Sequence, residues 1–174
     1  MSTHSVQPDW SRQLFAILLE HEVKLFAFVP DAGNAALVEL AQGNTQTRAL
    51  LLTTEEEGVA FCAGVDLVGK RAALLLQSSG VGNCGNFFSL IKGARFPVFM
   101  VITMRGEYGE TNPWQYAMGQ ATIPLLDSME ILSFVVSEAP DLEKAARAAL
   151  AAAFKGGRGA ALILSQRFLG PKSI

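Results

Sequence analysis

The chain reads as an α/β protein: an open, six-stranded, mostly parallel sheet with helices on both faces. Strand-like and helix-like segments alternate from one end to the other, the pattern of strands joined by helical crossovers. The strand segments are continuously apolar, as strands covered on both faces must be; Val98-Phe99-Met100-Val101-Ile102 behind Pro97 is the clearest of them. Half of the 174 residues are hydrophobic and only 17% are charged, enough apolar material for a core on each side of a sheet. One domain over residues 1–174 is expected, with tails at 1–9 and 166–174.

Residues 10–22 carry Leu14, Phe15, Leu18 and Leu19 at helical spacing. A buried strand is predicted over 24–29, ended by Pro30-Asp31-Ala32-Gly33-Asn34, and a short helix over 35–42. Residues 49–53 form a strand and 55–68 a helix stopped by Gly69-Lys70. A leucine-rich strand follows at 72–77, a helix at 83–92, and the apolar strand at 98–103. Residues 104–119 read as a long irregular loop, 120–129 as a helix and 132–136 as a strand. An alanine-rich helix over 141–154 has Asp141 as its N-cap, and Gly156-Gly157-Arg158-Gly159 turns the chain into a last strand at 160–164.

The net charge of −2, with no basic run and no aromatic-basic interleaving, argues against nucleic acid and anionic membranes as partners. No apolar run approaches the roughly 18 residues that cross a bilayer. The start, Met1-Ser2-Thr3-His4-Ser5-Val6-Gln7-Pro8, lacks the basic and apolar regions of a signal peptide. Cys62 and Cys84 sit among small residues and read as buried thiols of a reduced, cytoplasmic protein. His4 and His21 are too far apart to build a zinc site, so no metal ligands are expected.

Ligands of open α/β sheets sit outside the carboxyl ends of the strands. Four segments fall on that edge, 30–34, 53–58, 78–83 and 104–119, and they hold nearly every unusual residue of the chain. Glu55-Glu56-Glu57 opens a helix. Acids there complement the macrodipole by about 0.3–1 kcal/mol each. Neighbouring helical positions are about 100° apart, so three in a row cannot all face water, and at least one should face the sheet's edge or a partner; Glu56 is the candidate. Gly80-Val81-Gly82-Asn83-Cys84-Gly85 matches the dinucleotide-binding spacing, and Glu107 follows at a suitable distance. Against a Rossmann-type nucleotide module stand its place in the third βα turn, the preceding Ser78-Ser79, and a Glu107 that falls beyond the next strand. The glycines also fit a tight turn. There is no Gly-x-Ser-x-Gly elbow and no phosphate-binding Walker sequence. The loop from Arg105 to Gly119 is too long and polar for a connector. It is either solvated or, as Trp114, Tyr116 and Met118 argue, partly packed.

Glu56-Glu57-Gly58-Val59-Ala60, Ala63-Gly64, Gly69-Lys70 and Gln77-Ser78-Ser79-Gly80-Val81-Gly82-Asn83 resemble the pyrimidine-binding (PYR) domain of thiamine-diphosphate enzymes. Within that family, Phe28-Val29-Pro30-Asp31, Arg105-Gly106-Glu107 and Asn112-Pro113-Trp114-Gln115 through Met118-Gly119-Gln120-Ala121-Thr122 are most similar to sulfopyruvate decarboxylase α subunits and phosphonopyruvate decarboxylases. The likeness runs over about residues 12–165. The turn is one residue tighter before Asn83 than the family pattern, which leaves open which residue takes the asparagine role. Tyr116 stands where the phosphonopyruvate enzymes carry histidine, which leans toward sulfopyruvate.

The resemblance implies that Glu56 hydrogen-bonds a ring nitrogen of the cofactor's aminopyrimidine, and that Ser79, Gly80, Gly82 and Asn83 lie against the cofactor. It implies a thiazolium electron sink for loss of CO₂ from a small anionic 2-oxo acid. Pro30, Asp31, Arg105 and Gln115 are the candidate substrate contacts. The family's Gly-Asp-Gly diphosphate half is missing, so Mg²⁺ and diphosphate are expected on a separate β subunit, in a hetero-oligomer. Another 2-oxo acid decarboxylase or a carboligase subunit is the alternative.

Overall fold

The structure, a computed structural model, describes residues 10–170, so the tail expected over 1–9 lies outside the described residues. Six strands form one sheet in the order β2-β1-β3-β4-β6-β5. They are β1 (Val23–Phe28), β2 (Arg48–Leu51), β3 (Arg71–Gln77), β4 (Val98–Thr103), β5 (Leu132–Val136) and β6 (Gly159–Leu164). Every pairing is parallel. β4 and β6 are buried along their whole length. The edge strands β2 and β5 keep exposed residues, as strands with one neighbour do.

Alternate strand residues point to opposite faces, and the core divides accordingly. One layer packs Phe26, Leu75, Phe99, Val101 and Leu162 against α1 (Trp10–Glu20), α2 (Ala35–Gly43) and α7 (Leu142–Phe154). The other packs Ala27, Leu74, Leu76, Met100 and Ile163 against α3 (Glu55–Leu67), α4 (Ser78–Asn83), α5 (Phe88–Ala94) and α6 (Trp114–Ser128). Gly58 lets α3 lie close on the sheet: a Cβ there would stand 2.2 Å from Leu74 Cδ1.

Three expected boundaries move, one for a tertiary reason and two through local capping contacts. The helix expected over 83–92 is two helices, and the first begins at Ser78, directly after β3. The buried Ser78 hydroxyl fixes that start: it accepts from Arg105 N at 3.0 Å and donates to Arg105 O at 3.3 Å. Gly80 and Gly82 therefore lie inside a helix, and Gly82 faces Met118 of α6. The loop expected to reach Gly119 ends at Pro113, where a φ of −61° suits helix entry and Asn112 Oδ1 accepts from Trp114 N at 3.1 Å. Part of the expected C-terminal tail is a short helix, α8 (Gln166–Leu169), capped by Ser165 Oγ accepting from Phe168 N at 3.1 Å. A sheet predicted as mostly parallel is wholly so.

Candidate functional site

The strand order reverses twice: β2 and β3 flank β1, and β6 lies between β4 and β5. Such reversals open crevices at the carboxyl edge. The loops after β1 and β3 meet at the first, and those after β4 and β6 at the second.

At the first crevice Asp31 is a brace. Its Oδ1 accepts from Gly33 N at 3.0 Å and Gln77 Nε2 at 2.8 Å. Its Oδ2 accepts from Thr103 Oγ1 at 2.7 Å and from the backbone and side-chain amides of Asn34 at 3.2 Å. Gln77 Oε1 in turn accepts from Ser79 Oγ at 2.9 Å. One hydrogen-bonded chain thus crosses the ends of β1, β3 and β4. Gly33 belongs to it because a Cβ there would strike Thr103 Oγ1 at 2.6 Å. Asn34 is buried and leaves its Oδ1 without a partner.

The three glutamates separate into three environments. Glu57 is exposed and its Oε2 accepts from Thr53 N at 2.9 Å, a helix-start contact. Glu55 lies over Gly80, where a Cβ would sit 2.5 Å from its Oε1, and its Oε2 accepts from Asn83 Nδ2 at 2.8 Å. Glu56 is half-buried, and its Oε2 is buried with no hydrogen-bond partner. A buried carboxylate oxygen without a donor costs free energy unless a group outside the chain completes it. Glu55 and Glu56 both add to the raising of the neighbouring Cys84 thiol, which burial first pushes up to about 12.

The second crevice is built on Glu110, which the sequence reading passed over. Its carboxylate is fully buried and takes three donors on each oxygen. Oε1 accepts from Arg105 Nη2 at 2.6 Å, Thr111 N at 3.0 Å and Asn112 N at 2.9 Å. Oε2 accepts from Arg105 Nε at 2.5 Å, Gly106 N at 3.2 Å and Gln166 Nε2 at 3.1 Å. The Arg105 guanidinium, and after it the backbone N–H groups, hold this carboxyl well below the usual carboxylate range despite its burial. Gln166 completes the loop: its Oε1 accepts from Glu107 N and Tyr108 N, and its own N–H donates to Glu107 Oε2 at 2.8 Å. Glu110 carries a faint signal in sequence, an acid in a loop that also holds an arginine. Gln166 carries none, because its contacts span 56–59 positions.

A cavity of about 360 Å³ joins the crevices, with Asp31, Gly33, Thr103, Arg105 and Gln166 in its wall. Asp31 and Arg105 therefore meet at one place, Arg105 with its Nε and Nη2 given to Glu110. Pro30 lines a separate hollow beside Ala35 and Val38. Gln115, on α6, holds a buried Oε1 without a partner. Asn83 is engaged by Glu55, and the space beside Gly80 is filled by the same carboxylate. Trp114, Tyr108 and Tyr116 stand exposed around the second crevice, Trp114 at 87%. Among the described residues no cluster of His, Cys, Asp or Glu could hold a metal ion, and no helix is long and apolar enough to cross a membrane.

No protein-family model matches the chain. It is 34% identical over 125 residues to sulfopyruvate decarboxylase subunit alpha of Methanococcus maripaludis, covering 71% of this chain and 75% of the relative. It is 33% identical over 121 residues to phosphonopyruvate decarboxylase of Streptomyces viridochromogenes, covering 68% of this chain but only 30% of that protein. Its fold matches, at a TM-score of 0.69 and 12% identity, a solved 2-oxoglutarate:ferredoxin oxidoreductase from Magnetococcus marinus, over 92% of this chain and 29% of that one. The extent and identity of the first match place the chain in a family: it belongs to the sulfopyruvate decarboxylase α subunits.

Proposed function

We propose that this chain is the PYR-type α subunit of a thiamine-diphosphate-dependent 2-oxo acid decarboxylase that converts sulfopyruvate to sulfoacetaldehyde and CO₂ together with a separate β subunit. The observation that carries the reading is Glu56. It is the one carboxylate of the α3 start with a buried, unpartnered oxygen, and it lies on the carboxyl edge of the sheet. That oxygen fits the role of accepting from, or sharing a proton with, a ring nitrogen of a bound aminopyrimidine. When bound, the cofactor supplies an electron sink for decarboxylation.

The chain's own residues hold and orient. Glu57 caps α3 and Glu55 ties it to α4, so the backbone of Glu56 is fixed from both sides. Ser79, Gly80, Gly82 and Asn83 of α4 are proposed to lie toward the cofactor, with Gly80 and Asn83 held against Glu55. The cavity wall at Arg105, braced beside it by Asp31, is proposed to receive the anionic substrate, with the Gln115 side chain on α6 and the turn at Pro30 as further candidate contacts. Diphosphate and Mg²⁺ would sit on the β subunit. The match to 75% of an α subunit but 30% of a phosphonopyruvate decarboxylase supports an enzyme whose remaining parts lie in another chain. The exposed aromatics around the second crevice are where that chain would seat. The free, buried Cys62 and Cys84 support a reducing, cytoplasmic setting. Phosphonopyruvate remains the second substrate reading, because a phosphonopyruvate decarboxylase is nearly as similar in identity.

The test is co-expression with the partner subunit and measurement of CO₂ release over a panel of 2-oxo acids, with and without thiamine diphosphate. Sulfopyruvate should be turned over only with the cofactor. Glu56→Gln should lower kcat by about 10² or more and leave the circular-dichroism spectrum and subunit assembly unchanged. Turnover by Glu56→Gln at the wild-type rate would sink the assignment.

A further inference from the structure

The amino edge of the sheet, opposite the site just described, carries a second feature. Three adjacent strands carry a basic residue at their start: Arg48 and Arg71 are the first residues of β2 and β3, and Lys24 is the second of β1. Neighbouring strands are about 4.8 Å apart, so these positions are close. Lys24 is there because β1 is irregular. The pairing runs Val23 with Arg71 and then Leu25 with Ala72, which leaves Lys24 as an extra residue bulged between them. On its other side Leu25 pairs with Arg48. Bulges of this kind re-aim a side chain. Lys70 joins the group through Gly69, whose φ of +67° turns the chain out of α3.

These four cations line one hollow of about 430 Å³, with Gln46 beside them and Glu22 as its one acid. Lys24, Arg48 and Lys70 are exposed and form no ion pair among the described residues. Arg71 is fixed: its Nη1 donates to His21 O at 2.8 Å and its guanidinium stacks over the Phe154 ring. Gathering four like charges around one concavity costs folding stability and raises the local concentration of anions. In a chain of net charge −2 this is a specific placement.

We infer that this hollow is a binding site for a small, multiply charged phosphate anion, separate from the cofactor edge. No aromatic side chain lines it, so nothing is present to stack a base, and the phosphate chain is what is recognised. The inference does not rest on the proposed decarboxylase activity.

The test is isothermal titration of the full chain with inorganic pyrophosphate, tripolyphosphate and ATP at low ionic strength. Tripolyphosphate should bind with a dissociation constant on the order of 0.1 mM and weaken steeply as salt rises. ATP should bind within about threefold of tripolyphosphate. The double variant Lys24→Ala/Arg48→Ala should lose at least tenfold in affinity and Lys70→Ala several-fold, while Lys144→Ala on α7 should bind as the wild type does. Because all three pocket positions are exposed, unchanged thermal melting verifies the fold of each variant; if the double variant melts early, Lys70→Ala alone decides. Absence of binding at millimolar anion, equal binding by the pocket variants, or an ATP affinity more than tenfold above that of tripolyphosphate overturns the inference.

Discussion

Replacing Glu110 by glutamine isolates what holds the loop over the second crevice. Each carboxylate oxygen accepts three donors, so whichever way the amide is oriented, its NH₂ group faces three N–H groups that no longer have an acceptor. The charge that compensates Arg105 also disappears, and that guanidinium is only 13% exposed. Breaking a buried ion pair from one side costs about 3–5 kcal/mol, and for a chain of this size each kcal/mol lowers Tm by about 2–4 °C. The expected fall in Tm is therefore about 6–20 °C. Thermal unfolding measures it, with hydrogen exchange of residues 104–113 reporting on the loop. The pH dependence gives an independent reading. The folded carboxyl is depressed, so its contribution is fully present above the ordinary unfolded range near about 4.3 and is lost as pH falls toward the folded value. Glu110→Gln should flatten that acid limb. A variant within about 1 kcal/mol of the wild type, with the loop still protected and the acid limb unchanged, would refute the view of Glu110 as the loop's anchor.

Gly106→Ala should cost about 2–5 kcal/mol, since the residue has a φ of +78° and its Cβ would stand 2.1 Å from Gln115 O, which is backbone and cannot yield; urea midpoints measure this. Burial pushes both cysteine thiols up to about 12. Neither should react with a thiol reagent at neutral pH until the chain unfolds. Because the unfolded thiols ionise first, near about 8.5, stability should decline as pH rises above that value. Arg105→Lys keeps the charge and loses the fork. If Arg105 contacts the anionic tail of the substrate, KM for sulfopyruvate should rise about tenfold or more while KM for an uncharged-tail 2-oxo acid stays; an equal rise for both assigns it to the brace alone.

Much of the fold was legible because both layers obey simple periodicities. Val98–Thr103 is apolar throughout and is the buried centre of the sheet, and the Leu14/Leu18 stripe packs as expected. The misplaced boundary at α4 has a tertiary cause. Ser78, Gly80 and Gly82 carry the local chemistry of a turn, yet the contacts of Ser78 with Arg105 and of Gly82 with Met118 make them a helix. The dinucleotide-like spacing is thus met by glycines that admit Glu55 and Met118 at close range, a use the spacing alone cannot distinguish from a phosphate cradle. Tyr116 and Trp114 read as loop because the capping contact that starts α6 depends on how Asn112 and Pro113 are held.

The sequence by itself determined the α/β class, the two-sided core and the family likeness, since each rests on local pattern or short motifs. Tertiary structure decided which carboxylates do what. Three adjacent glutamates, chemically identical in the chain, become a cap, a clasp on Gly80 and an oxygen without a partner. Glu110 and Gln166, unremarked in sequence, become the anchor of the second crevice. Burial and hydrogen-bond partners are set by residues as far as 72 positions away, and no short-range pattern encodes them.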